Sequence, residues 1–199
     1  MTASLRIVVA DDEPDMRDYF RKILPRLGHT VVAAAETGHE LVERCRALHP
    51  DLVITDINMP DLDGIDAASQ IYQERPVPVI LVSAFHDPEL IARAEADHVL
   101  GYLVKPIKQA DLEPAISIAM RRFEQFEALR QEAADLRQAL EDRKVIERAK
   151  GAVMKRLRVD EKEAFRHLQK FASDRNLKLK EVSQTVLQAE QVFDELERT

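Results

Sequence analysis

Five short apolar runs, each followed by a stretch with the spacing of an amphipathic helix, organise the first 120 residues. The runs are "LRIVVA" (5–10), "TVVAAA" (30–35), "DLVITD" (51–56), "VPVILVSA" (77–84) and "LGYLV" (100–104). The helical patterns lie near residues 14–27, 38–48, 64–74 and 88–97, and a fifth begins near Asp111. Runs that are apolar throughout indicate parallel strands covered by helices on both faces. The pattern predicts a doubly wound α/β domain with a five-stranded parallel sheet of flavodoxin-like order.

Strand patterns end after Pro114, and the remaining chain has the spacing of helices. Apolar residues at alternating spacings of three and four form an apolar seam: Phe126, Leu129, Ala133, Leu136 and Leu140. The seam is typical of a short coiled coil between two chains, although a helix packed on its own domain has the same spacing. Three more helices are predicted near 143–157, 161–175 and 179–197. We therefore divide the chain into an α/β domain (1–120), a coiled-coil linker helix (121–142) and a three-helix bundle (143–199).

Composition limits the class of protein. A hydrophobic content of 45% with 33% charged residues argues against disorder. The single cysteine, Cys45, excludes an intrachain disulfide and a cysteine-rich zinc site. No apolar segment has the layout of a signal peptide or the length of a membrane span. We expect a cytoplasmic protein that does not act at a membrane.

Charge is distributed unevenly between the two halves. Residues 1–121 contain 12 Lys and Arg against 20 Asp and Glu, whereas residues 122–199 contain 17 against 16. One helix holds a cluster of basic residues: Arg143, Lys144, Arg148, Lys150, Lys155, Arg156 and Arg158. From the residues alone, a solvated face and a phosphate-binding face fit this helix equally well. Gly151 lies within it, and since glycine costs a helix about 1 kcal/mol relative to alanine, we expect it to allow close packing of another helix.

Polar residues follow the predicted strands where parallel strands carry chemistry, at their carboxyl ends. Asp11 and Asp12 follow the first strand, Asp56 the third, Ser83 the fourth and Lys105 the fifth. A solvated acidic surface is the simpler interpretation for any single aspartate, but not for residues at four strand ends. Oxygen ligands of this kind suit Mg²⁺. One carboxylate could then attack phosphorus to form an acyl phosphate, with the lysine and serine holding the phosphoryl oxygens.

The motifs "VVADDEP", "ITDINMPDLDG", "LVSA" and "GYLVKP" resemble the receiver domain of two-component response regulators, over residues 5 to about 120. The resemblance implies that Asp56 is the phosphoacceptor and that a sensor histidine kinase is the partner. It implies that Asp11, Asp12, Asp56 and the carbonyl of Asn58 bind Mg²⁺. It also implies that Ser83 and Tyr102 form the switch pair and that Lys105 binds phosphate.

One departure and one alternative accompany this resemblance. The family usually has Gly-Ala before the fifth strand, where this chain has His98-Val99, so we expect a reshaped turn beside Tyr102. The alternative is a phosphatase that forms an aspartyl phosphate. Such enzymes commonly place the nucleophile in a DxD pair on the first strand, whereas here Asp11 and Asp12 are adjacent and Asp56 lies on the third.

The sequence "DRKVIERAKGAVMKRLRVDEKEAF" followed by "LKLKEVSQTVLQA" resembles the ANTAR family of transcription antitermination regulators, over roughly residues 137–197. The resemblance implies binding to paired hairpins in nascent leader RNA, by a homodimer that forms on phosphorylation, with no separate catalytic output. The chain has no Trp, and Phe165 and Phe171 have the spacing of core residues, so we expect recognition through charge and polar contacts. The alternatives are a DNA-binding response regulator and a protein-interaction module.

Overall fold

The computed structural model describes residues 4–84 and 99–196, and the chain divides into two compact units, Met1–Glu127 and Ala128–Thr199. The helix predicted at 88–97 and His98 of the expected reshaped turn lie outside the described residues. Within the described part of the chain, no helix combines the length and the apolar character needed to cross a membrane.

The first unit contains a five-stranded parallel sheet. Its strands are β1 (Arg6–Ala10), β2 (Thr30–Ala35), β3 (Leu52–Asp56), β4 (Val79–Ser83) and β5 (Val99–Val104). They lie in the order β2-β1-β3-β4-β5, which confirms the predicted flavodoxin-like fold. Every residue of β3 and β4 is buried, as expected of strands covered on both faces.

Among the described residues, four helices cover the sheet: α1 (Pro14–Arg26), α2 (Gly38–Leu48), α3 (Gly64–Glu74) and the start of α4 (Gln109–Leu157). The side chains of Thr37 and Asp63 accept backbone N–H groups in the first turns of α2 and α3. One core layer packs on α2 and α3 and includes Val8, Leu41 and Ile65. The other packs on α1 and α4 and includes Ile7, Phe20 and Leu112.

α4 is a single helix of 49 residues. It continues through both predicted boundaries, after residues 120 and 142, so the segments predicted as a fifth helix, a linker and a first bundle helix are one element. The sequence offers no break, because residues 115–157 contain no proline and a single glycine. The helix ends at Leu157, and Arg158 turns the chain away with a left-handed φ of 56°.

In the second unit, the C-terminal part of α4 shares a core with α5 (Glu161–Arg175) and α6 (Leu179–Leu196). The Asp160 side chain accepts the Glu163 N–H at 2.8 Å and caps α5. The shared core consists of Ala149, Val153, Ala164, Leu168, Ala172 and Val182. Gly151 is not part of it, and a methyl group there would meet nothing within 4 Å, so our expectation of close helix packing at this glycine was wrong.

Candidate functional site

The strand register brings the predicted site residues to one end of the sheet. Ala10 pairs with Thr55 and Asp56 pairs with Val82, so the residues after β1, β3 and β4 emerge together. The backbone N–H of Lys105 donates to the Ser83 carbonyl at 2.8 Å and adds the end of β5.

Asp11, Asp12, Glu13 and Asp56 form an acidic cluster at this end of the sheet, and Lys105 lies at its centre. Its Nζ is 2.8 Å from Asp56 Oδ2, 3.0 Å from Asp11 Oδ2 and 3.0 Å from Glu13 Oε1. Asp11 is fully buried and Asp56 nearly so. One ammonium therefore holds together three carboxylates that would otherwise repel one another.

Burial and pairing shift two pKa values in the cluster. Burial raises the pKa of the Asp11 carboxyl, although the Lys105 ammonium opposes this effect. Burial also acts to lower the pKa of Lys105, but its contacts with the carboxylates of Asp56, Glu13 and Asp11 outweigh burial and leave the pKa raised. Lys105 is therefore a permanent cation at physiological pH.

The acidic cluster fits a hard cation. One carboxylate oxygen from each of Asp11, Asp12, Glu13 and Asp56 lies within 4.8 Å of the others. Asp11 Oδ2 forms an ion pair with Lys105 at 3.0 Å. Among the described residues, it is the one buried side-chain polar atom without a hydrogen bond of standard geometry, so it can coordinate a metal ion. Such an all-oxygen set suits Mg²⁺. Asn58, whose carbonyl is a predicted ligand, is exposed two residues after Asp56.

Local backbone contacts hold Asp56 in place. Its Oδ1 accepts the N–H of Ile57 at 2.7 Å, and its carbonyl accepts the Thr55 hydroxyl at 3.0 Å. A methyl group at Gly64 would lie 1.9 Å from the Asp56 carbonyl oxygen, so only glycine fits where α3 begins. The Gly64 N–H donates to the Ile57 carbonyl at 2.8 Å and closes this loop.

Sequence reasoning missed two residues of the cluster. Glu13 directly follows Asp11 and Asp12, and that adjacency was the available signal. Arg17 donates to the carbonyls of Asp11 at 2.8 Å and Asp12 at 2.9 Å, and it pairs with Glu36 at 3.3 Å. These hydrogen bonds hold the backbone of Asp11 and Asp12 in place, but nothing in the sequence distinguishes Arg17 from the other arginines of an amphipathic helix.

The residues predicted as the switch pair occupy different environments. Ser83 is buried at the end of β4. Tyr102 is half-buried in β5 and packs beside the core layer of α2 and α3. A groove of about 400 Å³ runs between β5 and the start of α4, where Ile118 is exposed next to Tyr102.

The basic helix presents most of its predicted contact residues to solvent. Arg143, Lys144, Arg148, Lys155, Arg156 and Arg158 are exposed. Lys150 differs, because it is buried, pairs with Glu147 at 2.8 Å and Glu161 at 2.6 Å, and lies 5.7 Å from the Phe165 ring centroid. Its ammonium therefore joins α4 to α5, which makes it a poor candidate for RNA contact.

Aromatic side chains are less buried than the sequence spacing indicated. Phe171 is 50% exposed, so its expected core position was wrong, and Phe165 is half-buried. The guanidinium carbon of Arg156 lies 3.9 Å from the centroid of the Phe193 ring, a contact that no sequence pattern indicated.

The apolar seam divides into two parts. Leu129, Ala133, Leu136 and Leu140 are exposed along α4. Phe126 instead meets Tyr72 of α3 edge-on, with ring centroids 6.4 Å apart. Phe126 therefore packs within the first unit, unlike the rest of the seam.

Family models match both parts of the chain. A model of the response regulator receiver domain matches residues 7–117, and a model of the ANTAR domain matches residues 134–187. The chain is 40% identical over 183 residues to the transcriptional regulatory protein PdtaR of Mycobacterium tuberculosis, covering 92% of this chain and 89% of that protein.

Solved structures resemble the first unit. The signal receiver domain of the response regulator NarL from Mycobacterium tuberculosis is 28% identical with a TM-score of 0.57, covering 60% of this chain and 98% of that one. The response regulator domain of Thermotoga maritima CheB is 30% identical with a TM-score of 0.55, covering 59% and 97%.

Proposed function

The chain belongs to the response regulators, with a receiver domain followed by an ANTAR domain, and from this membership we propose how its residues act. It is a phosphorylation-controlled regulator that acts as a transcription antiterminator by binding RNA. The observation that carries this function is the presence of both domains on one chain that matches PdtaR over 92% of its length. Control of transcription initiation through DNA is not favoured, because the ANTAR domain is an RNA-binding module.

Asp56 is the proposed phosphoacceptor, and a sensor histidine kinase is the proposed donor. A carboxylate oxygen of Asp56 attacks phosphorus, the bond from phosphorus to the kinase histidine nitrogen breaks, and an acyl phosphate forms. The nitrogen keeps the electron pair of the broken bond. Lys105, now 2.8 Å from Asp56 Oδ2, then pairs with a phosphoryl oxygen, and the Ser83 hydroxyl donates to another.

Receiver domains bind Mg²⁺ at an acidic pocket of this kind. The proposed ligands here are the carboxylates of Asp11, Asp12 and Asp56 and the carbonyl of Asn58. When bound, the metal offsets the charge of the carboxylates and of the phosphoryl group. Apart from receiving and slowly losing this group, the proposed regulator has no catalytic output, and we place it in the cytoplasm.

The exposed basic residues of α4 are the proposed RNA surface, with hairpins in nascent leader RNA as the ligand. Phosphate contacts of this kind give affinity and salt dependence. The exposed seam leucines are the proposed dimer contact, because Leu129, Leu136 and Leu140 are each at least 60% exposed on one helix. Phosphorylation is proposed to favour the dimer.

Two measurements test this function. Acetyl phosphate with Mg²⁺ should add one phosphoryl group to the protein, and Asp56→Asn should add none. A radiolabelled RNA hairpin selected from the native transcriptome should be displaced by unlabelled hairpin and not by duplex DNA. Equal labelling of the Asn variant would show that Asp56 is not the phosphoacceptor. Equal competition by duplex DNA would show that the protein does not bind RNA specifically.

A further inference from the structure

A groove of about 440 Å³ lies between the end of α4 and the second half of α6, in the second unit. Its walls combine an aromatic ring, basic side chains, carboxylates and aliphatic groups. The volume is in the range of small-ligand pockets. Phe193, on the α6 wall, lies beyond the residues that the ANTAR model matches, which end at 187.

The contact between Arg156 and Phe193 fixes a flat surface in this groove. The guanidinium carbon is 3.9 Å from the ring centroid, while Arg156 remains exposed and Phe193 is 45% exposed. A guanidinium held against a ring loses less freedom when a second planar group stacks on its other face. Unstacked RNA bases are planar groups of this kind and stack on arginine planes and aromatic rings.

The charges around the groove fit a nucleotide. Lys155 and Arg158 line the same groove, and within the described part of the chain neither forms an ion pair with a carboxylate. They are therefore available to phosphates. Glu190 and Asp194 line the α6 wall, and neither accepts a hydrogen bond from another described residue. Carboxylates repel phosphate, but they accept hydrogen bonds from the amino groups of bases.

We propose that this groove binds one unpaired base of the RNA hairpin, stacked on Arg156 with Phe193 behind it. The inference rests on the proposed RNA function and adds a subsite to it. Glu190 and Asp194 accept from the exocyclic amino group, so adenine, cytosine or guanine binds better than uracil, which has none. Lys155 and Arg158 contact the flanking phosphates.

Hairpin binding by the full-length protein tests the subsite. The probe is a hairpin selected from the native transcriptome, compared with copies whose loops are entirely adenosine or entirely uridine. Arg156→Lys keeps the charge but removes the plane, and Phe193→Leu removes the ring. Each should weaken binding of the adenosine-loop hairpin by about 5- to 150-fold, the loss expected of one base stack. Both should weaken binding of the uridine-loop hairpin by a smaller factor.

A matched pair on α5 provides the control. Arg175 lies 5.5 Å from the Phe171 ring centroid, Phe171 is also exposed, and neither residue lines the groove. Arg175→Lys and Phe171→Leu should leave hairpin affinity unchanged. Thermal unfolding followed by circular dichroism verifies that all four variants fold.

Three results would contradict the subsite, and each points to a different explanation. If Arg156→Lys and Phe193→Leu bind the adenosine loop as tightly as the parent, Arg156 supplies only charge and the subsite is wrong. If Phe193→Leu lowers dimerisation in sedimentation while RNA affinity stays constant, a second copy of the chain occupies the groove. If the parent binds no hairpin at all, the proposed RNA function fails with it.

Discussion

Asp11 has a fully buried carboxyl whose pKa is raised above its usual value, mainly by burial. Folding therefore favours its protonated form. This contribution to stability is present below the unfolded-state pKa and is lost as pH rises through the folded-state pKa. Above the folded-state pKa, the buried charge of this carboxyl therefore lowers the stability of the fold.

Asp11→Asn should consequently raise the free energy of unfolding near pH 7, by on the order of 1 kcal/mol. The gain should disappear as the solution is acidified, because the parent carboxyl is then protonated. Urea unfolding at the two pH values measures this. Added Mg²⁺ should stabilise the parent more than the variant. A variant less stable than the parent at pH 7 would mean that the ion pair with Lys105 outweighs the cost of burial.

Two glycines should respond in opposite ways to alanine. At Gly64 a methyl group would lie 1.9 Å from the Asp56 carbonyl oxygen, whereas at Gly151 it would meet nothing within 4 Å. Gly64→Ala should destabilise the protein by about 1–3 kcal/mol and slow phosphorylation, since the Asp56 loop must shift. Gly151→Ala should stabilise it by about 0.5–1 kcal/mol. Chemical unfolding compares them, and equal effects would contradict the packing described at both positions.

At the scale of elements, the middle of α4 exposes Leu129, Leu136 and Leu140 along one helix face. Leu129→Glu with Leu136→Glu would place like charges across a paired seam and should abolish dimerisation of the phosphorylated protein. Gln131→Glu with Gln138→Glu adds the same charge on the opposite face and should not. Sedimentation of both double variants decides between them. A dimer that survives the leucine changes would assign the interface to another surface.

The exposed basic residues of the same helix should govern the salt dependence of RNA binding. Lys144→Ala with Arg148→Ala should weaken hairpin binding and reduce the slope of log affinity against log salt by roughly 0.7–1 for each lost phosphate contact. Helix content should stay constant, since alanine is a good helix former. Lys150→Met is the contrasting variant and should lower stability, because it leaves Glu147 and Glu161 without their shared cation. Unchanged affinity and slope would make the basic face merely solvated.

The elements were predictable where their signal is local. Apolar runs predict the five strands of the described sheet, and the position of Asp11, Asp56 and Lys105 at strand carboxyl ends predicts that they lie close together. The burial of Lys150 was not predictable, because it depends on Glu161 from the next helix. The pairing of Arg156 with Phe193, 37 positions apart, likewise depends on how α6 returns along α4.

At the scale of the whole molecule, phosphorylation must alter the RNA-binding unit through a difference in free energy between two states. The proposed acyl phosphate on Asp56 would add about 1.5–2 negative charges beside Lys105 and Ser83. Ser83 is expected to move toward it and Tyr102 to follow, changing the face next to the start of α4. We expect dimerisation and hairpin binding to tighten by about 5- to 150-fold. Titration of the hairpin with phosphorylated parent and Asp56→Asn measures this, and equal affinities would mean that the two units act independently.

The unbroken course of α4 also restricts how this chain can change in length. Each residue inserted or deleted between Leu140 and Arg143 would rotate the basic face by about 100° relative to the leucines and displace it by about 1.5 Å. Seven inserted residues would restore the angular phase to within about 20°. Substitutions in this stretch preserve that phase whatever their chemistry, provided that the helix persists. The length of this segment is therefore more tightly restricted than its composition, and a single deletion there should be more harmful than several exchanges.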